Sequence, residues 1–528
     1  MKFLVEFTTL TYVLKHGIAR CLNELYSGSS FAALIGSHVD TIGYLKDRSE
    51  VPYEAFYDLR TLPAEFLKQE ANLELLEEFE ETLPEKSLWR LISMDRDWAH
   101  QFVKTAVRKR SYVHDINDHE NILRVASGFV KFYKEVLEQF RPDVVLPAAG
   151  MNSMGAAILE QMCHNLGIHY LVPESLRTLN YMALSPNRKY TYPQIDDTYD
   201  KLLSGQLELD TTGGEKLYQE LVESLDCKYF DRTRMSDLKH RRPWLSFAFN
   251  VVKGSLAELR NWLKHQIKSS DPDLLPGQPK GLGTLMSNMN YVIKWHYQKI
   301  KFFDPALFDK YDPKQKYIYL PLQNTPEYST QVRATMWINQ LVMIEALAKS
   351  LPIGHKLYVR EHPGTLKTRV RDLSIFKEIK SYPNVDLIPM DIDSEEVIRN
   401  AVLVINTTGT SGWEAVRRGI PVINLAENLY DVLELSARCT DLEQLSIVIH
   451  DEIIRNASIL AEERKKRLVL FFTAMLKHAF WFDNPLLITG DAPCSEAKAR
   501  EMGSIICQGI KQYLDENAKE NNQYAAKV

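Results

Sequence analysis

The chain has 528 residues, which is too many for a single hydrophobic core and predicts two to four domains of about 100–200 residues each. Hydrophobic residues make up 45% and charged residues 25%, and the formal net charge of -5 argues against general nucleic-acid binding. Six scattered cysteines, none at metal-ligand spacing, argue against a disulfide scaffold and favour a reducing, cytoplasmic setting.

The first half of the chain alternates short apolar runs with helical patterns. KFLVEF superficially resembles the start of a signal peptide, but Glu6 interrupts the run, so we interpret it as a first strand. FAALIGS predicts a second strand, and HENILRVASGFVKFYKEVLEQF has the apolar spacing of a helix. RPDVVLPAAGMNSMGAAILEQMCHNLGIHYLVPES predicts strand, helix and strand, the parallel crossover of an α/β layer fold. No apolar stretch is long enough to span a membrane.

The middle segment is basic and aromatic. KHRRPWLSFAFNVVKGSLAELRNWLKHQIKSS and NYVIKWHYQKIKFF flank a connector rich in Pro and Gly, DPDLLPGQPKGLGT. Two interpretations remain open. The segment rests on an anionic membrane with Trp244, Trp262 and Trp295 as anchors, or it is a helical insertion with packed aromatics and solvated lysines.

After about Lys316 the α/β pattern resumes with KYIYLPLQ, HKLYVREHP, NVDLIPM, AVLVIN and GIPVINL as strands and helices between them. The predicted fold class is therefore α/β, with two Rossmann-like domains facing a cleft and a helical insertion between them. The predicted boundaries are 1–238 for an acceptor-side domain, 239–312 for the helical connector, 313–490 for a nucleotide-sugar domain and 491–528 for a C-terminal helix and tail.

The segment VINTTGTSGWEAVRRGIPVINL, residues 404–425, passes from a strand through a hydroxyl-rich loop into a helix. Small residues let a phosphate approach the backbone, a helix N-terminus offers N–H groups, and hydroxyls add donors. An ordinary turn with a Ser411 or Thr410 helix cap explains the same composition. The run lacks the lysine of a P-loop and the first glycine of a dinucleotide fingerprint. The candidate donor-binding residues are Thr408, Gly409, Thr410, Ser411 and Glu414.

Two further strand ends carry polar residues. In YVREHPG, His362 is a candidate phosphate donor, and Arg360 is a candidate partner for an anion or for Glu361. In YLPLQNTPEYST, Gln323 and Glu327 are candidates for contacting a base or ribose. Each piece alone also fits an ordinary strand end facing water. Because the carboxyl ends of parallel strands share one edge of a sheet, all three together predict a ligand site.

In this order, YLPLQNTPEYST, LYVREHPG and NTTGTSGWEAVRRGIPVI resemble the capsule polysaccharide biosynthesis family, which is similar to Kdo (3-deoxy-manno-octulosonate) transferases and other GT-B glycosyltransferases. The match covers residues 316–425, about a fifth of the chain. The resemblance implies that the second domain binds the nucleotide-sugar donor through His362, Thr408, Thr410, Ser411 and Glu414. Many relatives have a histidine where this chain has Gln323. Sugar-nucleotide 2-epimerases share the layout and a similar loop.

The resemblance implies a glycosyltransferase that uses neither a metal nor a cofactor and takes a CMP- or UDP-linked donor and a glycan or lipid-linked acceptor. A carboxylate or histidine of the first domain would accept the acceptor proton. The candidates expected at first-domain strand ends are Glu174, His16 and Asp40, with Glu174 preferred. The alternatives are a sugar-nucleotide 2-epimerase and a non-catalytic subunit of a polysaccharide assembly complex. The expected location is the cytoplasm, with peripheral contact at the inner membrane left open.

Overall fold

The computed structural model describes residues 1–36, 40–95, 118–150, 152–223, 243–267, 282–302, 304–325, 327–366, 371–484, 486–489 and 494–525. The chain divides into two compact units. Unit 1 is built from Met1–Ile92, Asp118–Glu215 and Leu470–Val528, and most of unit 2 is built from Lys216–Val469.

A five-stranded parallel sheet lies at the centre of unit 1, with strand order β3-β2-β1-β4-β5. Five of the six residues in each of β1 and β2 are buried, which explains why these strands are largely continuous apolar runs. The strands are β1 Lys2–Phe7, β2 Ser30–Ile35, β3 Tyr53–Asp58, β4 Val144–Leu146 and β5 His169–Tyr170.

A second, antiparallel sheet in unit 1 follows directly after β5. It has the order β14-β7-β6 and consists of β6 Val172–Ser175, β7 Tyr181–Ser185 and β14 Phe480–Trp481. The last strand therefore comes from the C-terminal part of the chain, although it pairs with a strand near residue 182.

The helices of the first half are α1 Tyr12–Leu25, α2 Thr41–Lys46, α3 Leu62–Phe66, α4 Leu73–Glu81, α5 Leu88–Ile92, α6 His119–Phe140, α7 Met154–Asn165, α8 Pro193–Leu203 and α9 Thr212–Tyr218. A π-helical turn, Gln219–Glu223, follows α9. The helices of the rest are α10 Pro243–Ile267, α11 Leu282–Lys301, α12 Tyr328–Gln331, α13 Gln340–Ser350, α14 Leu373–Ile379, α15 Ser394–Asn400, α16 Thr410–Arg417, α17 Leu445–Ser458, α18 Ala461–His478, α19 Leu486–Thr489 and α20 Glu496–Ala525.

The long C-terminal helix α20 packs against α1, and two glycines allow the close approach. A Cβ atom on Gly17 would lie 2.5 Å from the carbonyl oxygen of Ala499, and one on Gly503 would lie 2.8 Å from the carbonyl carbon of Gly17. Larger residues at either position would force the helices apart. This contact explains why the end of the chain belongs to unit 1 together with its beginning.

Unit 2 contains a six-stranded parallel sheet with the order β10-β9-β8-β11-β12-β13. From β8 the chain adds strands in one direction and then returns to place β11 on the other side, so the topological switch point lies between β8 and β11. The strands are β8 Tyr317–Pro321, β9 Lys356–Arg360, β10 Val385–Ile388, β11 Leu403–Asn406, β12 Val422–Asn424 and β13 Ala437–Arg438.

These two parallel α/β sheets confirm the predicted fold class of two Rossmann-like domains, and α10 and α11 lie in the segment predicted as a helical connector. The domain boundaries predicted from the sequence fall at residues 238 and 490. The compact units of the structure meet along the chain at Glu215/Lys216 and at Val469/Leu470. In the part of the chain that the structure describes, no helix combines the length and apolar character needed to cross a membrane.

Candidate functional site

Three polar segments meet at the carboxyl edge of the unit 2 sheet. They follow β9, β8 and β11, and these are three adjacent strands in the sheet. Leu322 donates its backbone N–H to the carbonyl of Arg360 at 2.8 Å, so the first two segments stay side by side beyond the strand ends. The site therefore lies beside the switch point, where open parallel sheets bind ligands. The three segments are predicted at one edge of the sheet, and the structure has them at the ends of three adjacent strands.

The hydroxyl-rich loop leads into α16 through Gly409, which is the N-cap residue. Its N–H bonds to Asn406 Oδ1 at 3.1 Å, and the Thr408 hydroxyl donates to the carbonyl of Ser329 at 3.0 Å. Among the described residues no side chain caps this helix end, so the expected Thr410 or Ser411 cap is wrong. Thr410 and Ser411 are half-buried in the first turn of α16, where the positive end of the helix dipole lies.

Glycines in this loop make room for protein side chains. A Cβ atom on Gly409 would lie 2.7 Å from Gln323 Nε2, so the amide of Gln323 lies directly over the loop. A Cβ atom on Gly412 would lie 2.2 Å from the hydroxyl of Tyr430 and 2.6 Å from Asn406 Nδ2. The loop is therefore small-residue rich at least partly because amide and hydroxyl groups pack against its backbone.

His362 lies at the solvent-exposed rim of the site. Its Nδ1 accepts the backbone N–H of Gly364 at 3.0 Å, so the neutral imidazole carries its proton on Nε2 and can donate from there. The surrounding protein disfavours the charged form and lowers the pKa of His362, whereas the nearby carboxylates of Glu327 and Glu361 oppose that shift. Glu327 is exposed, and it accepts the Ser329 hydroxyl at 3.1 Å.

A buried ion pair holds two of the strand ends together. Arg371 Nε donates to Glu361 Oε2 at 2.6 Å, and both side chains are almost inaccessible, 3% and 0% exposed. Arg371 also donates to the carbonyl of Gln323 at 2.6 Å, and Glu361 accepts the backbone N–H of His362 at 2.7 Å. The pair thus fixes the residues after β8 and β9 relative to each other.

Arg360 does not pair with Glu361, so that expectation is wrong. Its guanidinium Nη2 donates to the carbonyls of Met390 and Ile392, at 2.7 Å and 2.8 Å. Arg360 therefore stabilises the loop after β10. Glu361 pairs with Arg371 instead of Arg360. This partner was not predicted because it lies ten residues further along the chain.

A buried polar network supports the hydroxyl-rich loop from below. Asn406 Nδ2 donates to Tyr430 Oη at 3.0 Å and to Asn424 Oδ1 at 3.2 Å, and Asn424 Nδ2 donates to Asp431 at 2.7 Å. Asn428 Nδ2 donates to the carbonyl of Thr407 at 2.7 Å. Burial raises the pKa of Asp431 to about 6. This network was not predicted; its signal in the sequence is an asparagine at the end of each of two apolar strands, IN in both β11 and β12.

Glu414 lies half-buried in α16, one turn after the hydroxyl-rich loop. The acidic segment DIDSEE precedes α15, where Asp393 caps the helix by accepting the N–H of Glu395 at 3.0 Å. Among the described residues, no three His, Cys, Asp or Glu side chains are grouped so that they could hold a metal ion.

The three catalytic candidates of unit 1 lie in different elements. His16 is buried within α1 rather than at a strand end, with Nδ1 3.1 Å from the Tyr53 hydroxyl and Nε2 3.3 Å from Glu50. Glu174 is half-buried inside antiparallel strand β6, beyond the parallel sheet. Asp40 caps α2 by accepting the N–H of Gly43 at 2.8 Å. The strand-end placement is wrong for His16 and Glu174, whereas Asp40 does lie between the carboxyl end of β2 and the start of α2.

Two buried ionisable side chains, Glu6 and Lys15, lie at the carboxyl edge of the unit 1 sheet. Glu6, near the end of β1, accepts the N–H of Ala148 at 2.8 Å, and Lys15 donates to the carbonyl of Pro147 at 2.6 Å. Burial lowers the pKa of Lys15 to about 8 and raises the pKa of Glu6. In the sequence, Glu6 stands out only as an interruption of the first apolar run.

No family model and no curated protein matches this chain. Among solved structures, a β-Kdo 2,4 transferase, KpsC of Thermosulfurimonas dismutans, is similar with 12% identity and a TM-score of 0.32, covering 62% of this chain and 87% of that one. A UDP-GlcNAc 2-epimerase of Neisseria meningitidis bound to UDP-GlcNAc is similar with 13% identity and a TM-score of 0.24, covering 90% and 100%. That of Methanocaldococcus jannaschii has 12% identity and a TM-score of 0.22, covering 87% and 92%. At these values, none of the likenesses assigns an activity.

Proposed function

We propose that this chain is a GT-B-type glycosyltransferase of surface polysaccharide biosynthesis, which transfers a sugar from a CMP- or UDP-linked donor to a glycan or lipid-linked acceptor without a metal. The observation that carries this proposal is the convergence of three donor-bearing segments beside the switch point of the unit 2 sheet. We also propose a cytoplasmic location, with membership in the capsule polysaccharide biosynthesis family.

The proposed donor site has two kinds of group suited to a phosphate. His362 has its Nε2 proton directed by the Gly364 contact at Nδ1, and α16 begins with Thr410 and Ser411 in a turn whose N–H groups have no intrahelical partner. Charge developing on the leaving phosphate would be met by these donors. Because they are neutral dipoles fixed by the fold, they need no metal to act.

The rest of the site is proposed to contact the nucleoside. Gln323 lies over the loop at Gly409, and Glu327 lies on the same side as His362. Thr408 is committed to the carbonyl of Ser329, so its proposed role is to shape the loop. Glu414 and Arg360 are proposed to support the site from α16 and from the end of β9.

For proton removal from the acceptor we propose Glu174, a half-buried carboxylate of β6. His16 is the second proposed group, and its bonds to Glu50 and Tyr53 would hold its tautomer. Burial lowers the pKa of His16, which favours the neutral form that a base requires.

Donor turnover and binding test the proposal. A panel of CMP- and UDP-sugars is incubated with and without glycan and glycolipid acceptors, and products are followed by mass spectrometry. Transfer that depends on acceptor supports the proposal. Isomerised donor without acceptor would instead identify a 2-epimerase, and absence of turnover with every donor would favour a non-catalytic subunit.

Binding of the same donors by calorimetry locates the site. His362→Ala and Ser411→Ala should each weaken affinity by about 1–3 kcal/mol, which is roughly 5- to 150-fold. Matched controls are His355→Ala, just before the amino end of β9, and Ser381→Ala, just after α14, and neither should change affinity. Unchanged affinity in both site variants would refute the proposed donor site.

A further inference from the structure

An exposed apolar stripe runs along α10 from Leu245 to Leu263. No residue of this 25-residue helix with a described side chain is fully buried. Its exposed apolar residues recur at alternating intervals of four and three positions, so that they share one face of the helix. They are Leu245, Phe249, Val252, Leu256, Leu259 and Leu263.

The stripe faces away from the rest of the helical hairpin. α10 packs against α11 through Gly254, where a Cβ atom would lie 2.7 Å from Val292 Cγ1. Gly254 is nine positions after Leu245, which is about half a turn around the helix from the stripe. α11 in turn packs on the unit 2 core through Trp295, and Phe302, directly after the helix, belongs to that core. The hairpin is therefore anchored by α11, and α10 is its outer layer.

Basic residues border the stripe on one side. Lys253 and Arg260 each follow a stripe residue by one position, so both lie on the same flank, and both are exposed. Exposed Lys294 lies near exposed Ile293 on α11. The two helices contain six lysine and arginine residues against a single acidic residue, Glu258, in a chain whose formal net charge is -5.

We propose that the outer face of α10 lies in the interface of an anionic lipid bilayer. The stripe would enter the boundary between headgroups and acyl chains, while Lys253 and Arg260 meet lipid phosphates. The spacing also fits a coiled-coil seam with a second copy of this chain. However, a second copy would bring two basic flanks together, and Glu258 is half-buried, so no acidic row pairs with them. Charge complementarity therefore favours an anionic membrane.

This inference goes beyond the proposed reaction and is tested without donor or acceptor. The full-length protein is mixed with vesicles of phosphatidylcholine alone or of phosphatidylglycerol with phosphatidylcholine, and bound protein is measured by flotation. We expect binding to the anionic vesicles that weakens with added salt. Lys253→Gln with Arg260→Gln should weaken it by about thirtyfold, and Phe249→Gln with Leu256→Gln by more than about tenfold.

Matched control variants carry the same substitutions elsewhere on unit 2. In one control, exposed Ile353 and Leu460 are changed to Gln instead of the apolar pair of the stripe. In the other, exposed Lys310 and Lys314 are changed to Gln instead of Lys253 and Arg260. Neither control should change vesicle binding. Equal binding to neutral vesicles, no binding to anionic ones, or full binding by the stripe variant would overturn the proposal. So would a dimer in sedimentation velocity that the stripe variant abolishes, because a second copy would then cover this face. Circular dichroism verifies that each variant is folded.

Discussion

Replacing Arg371 by methionine tests whether the buried ion pair holds the ends of β8 and β9 together. The substitution keeps much of the side-chain volume but leaves the carboxylate of Glu361, 0% exposed, without its cation. Removing one partner of a buried pair costs about 3–5 kcal/mol. Two contacts survive, because Glu361 still accepts the His362 N–H and the Gln323 carbonyl still accepts Gln340 Nε2 at 3.0 Å. We therefore expect Arg371→Met to lower the free energy of unfolding by about 3 kcal/mol, the lower end of that range.

The assay is thermal and urea denaturation, with the unit 2 transition identified by limited proteolysis. A loss of about 3 kcal/mol should lower the melting temperature by roughly 6–12 °C in a unit of this size. The double variant Arg371→Met with Glu361→Gln should lose less than the sum of the two single variants, since no unpaired charge then remains. The control is Arg399→Met, whose pair with Glu395 is largely exposed on the arginine side and should cost at most about 1 kcal/mol. A similar small cost for Arg371→Met would refute this reasoning.

Two other perturbations examine the support beneath the loop. Burial raises the pKa of Asp431 from 3.8 to about 6, so its contribution to the free energy of unfolding is greatest below pH 4 and decreases as pH rises through about 6. Asp431→Asn should remove that part of the pH dependence, measured by urea denaturation at a series of pH values. A pH profile identical to that of the unsubstituted protein would contradict this prediction. Gly412→Ala should destabilise unit 2 by about 1–3 kcal/mol, because its Cβ would lie 2.2 Å from the Tyr430 hydroxyl. Gly283→Ala in α11 is the control: its Cβ would have open space around it, so this change should stabilise unit 2 by up to about 1 kcal/mol. Equal melting temperatures for the two variants would argue against this packing.

The strand ends of unit 2 illustrate what local sequence can predict. β8, β9 and β11 are apolar runs that end in polar residues, and their carboxyl ends must share an edge if the sheet is parallel. That argument predicts Gln323, His362 and Gly409 at one edge; the structure places Gln323 over Gly409 and links the segments after β8 and β9 through Arg371. The role of each in binding a donor stays a proposal.

Side-chain partners that lie outside a single helix or strand do not follow from the sequence pattern. Arg371 pairs with Glu361 ten residues earlier in the chain, and Asn424 donates to Asp431 seven residues later, so neither contact follows from spacing within one element. Glu174 was misplaced because HYLVPES contains two strands, β5 and β6, in different sheets. An apolar run shows that a segment is buried but does not show which neighbours surround it.

The sequence by itself determined the α/β class, the polar ends of the unit 2 strands and the basic, aromatic character of the middle segment, because periodicity and composition are local properties of the chain. The tertiary structure decided that the last helix packs on the first through Gly17 and Gly503, that Arg371 rather than Arg360 neutralises Glu361, and that α10 keeps its apolar face exposed. These outcomes depend on which elements pack against each other, and the whole packing arrangement decides that.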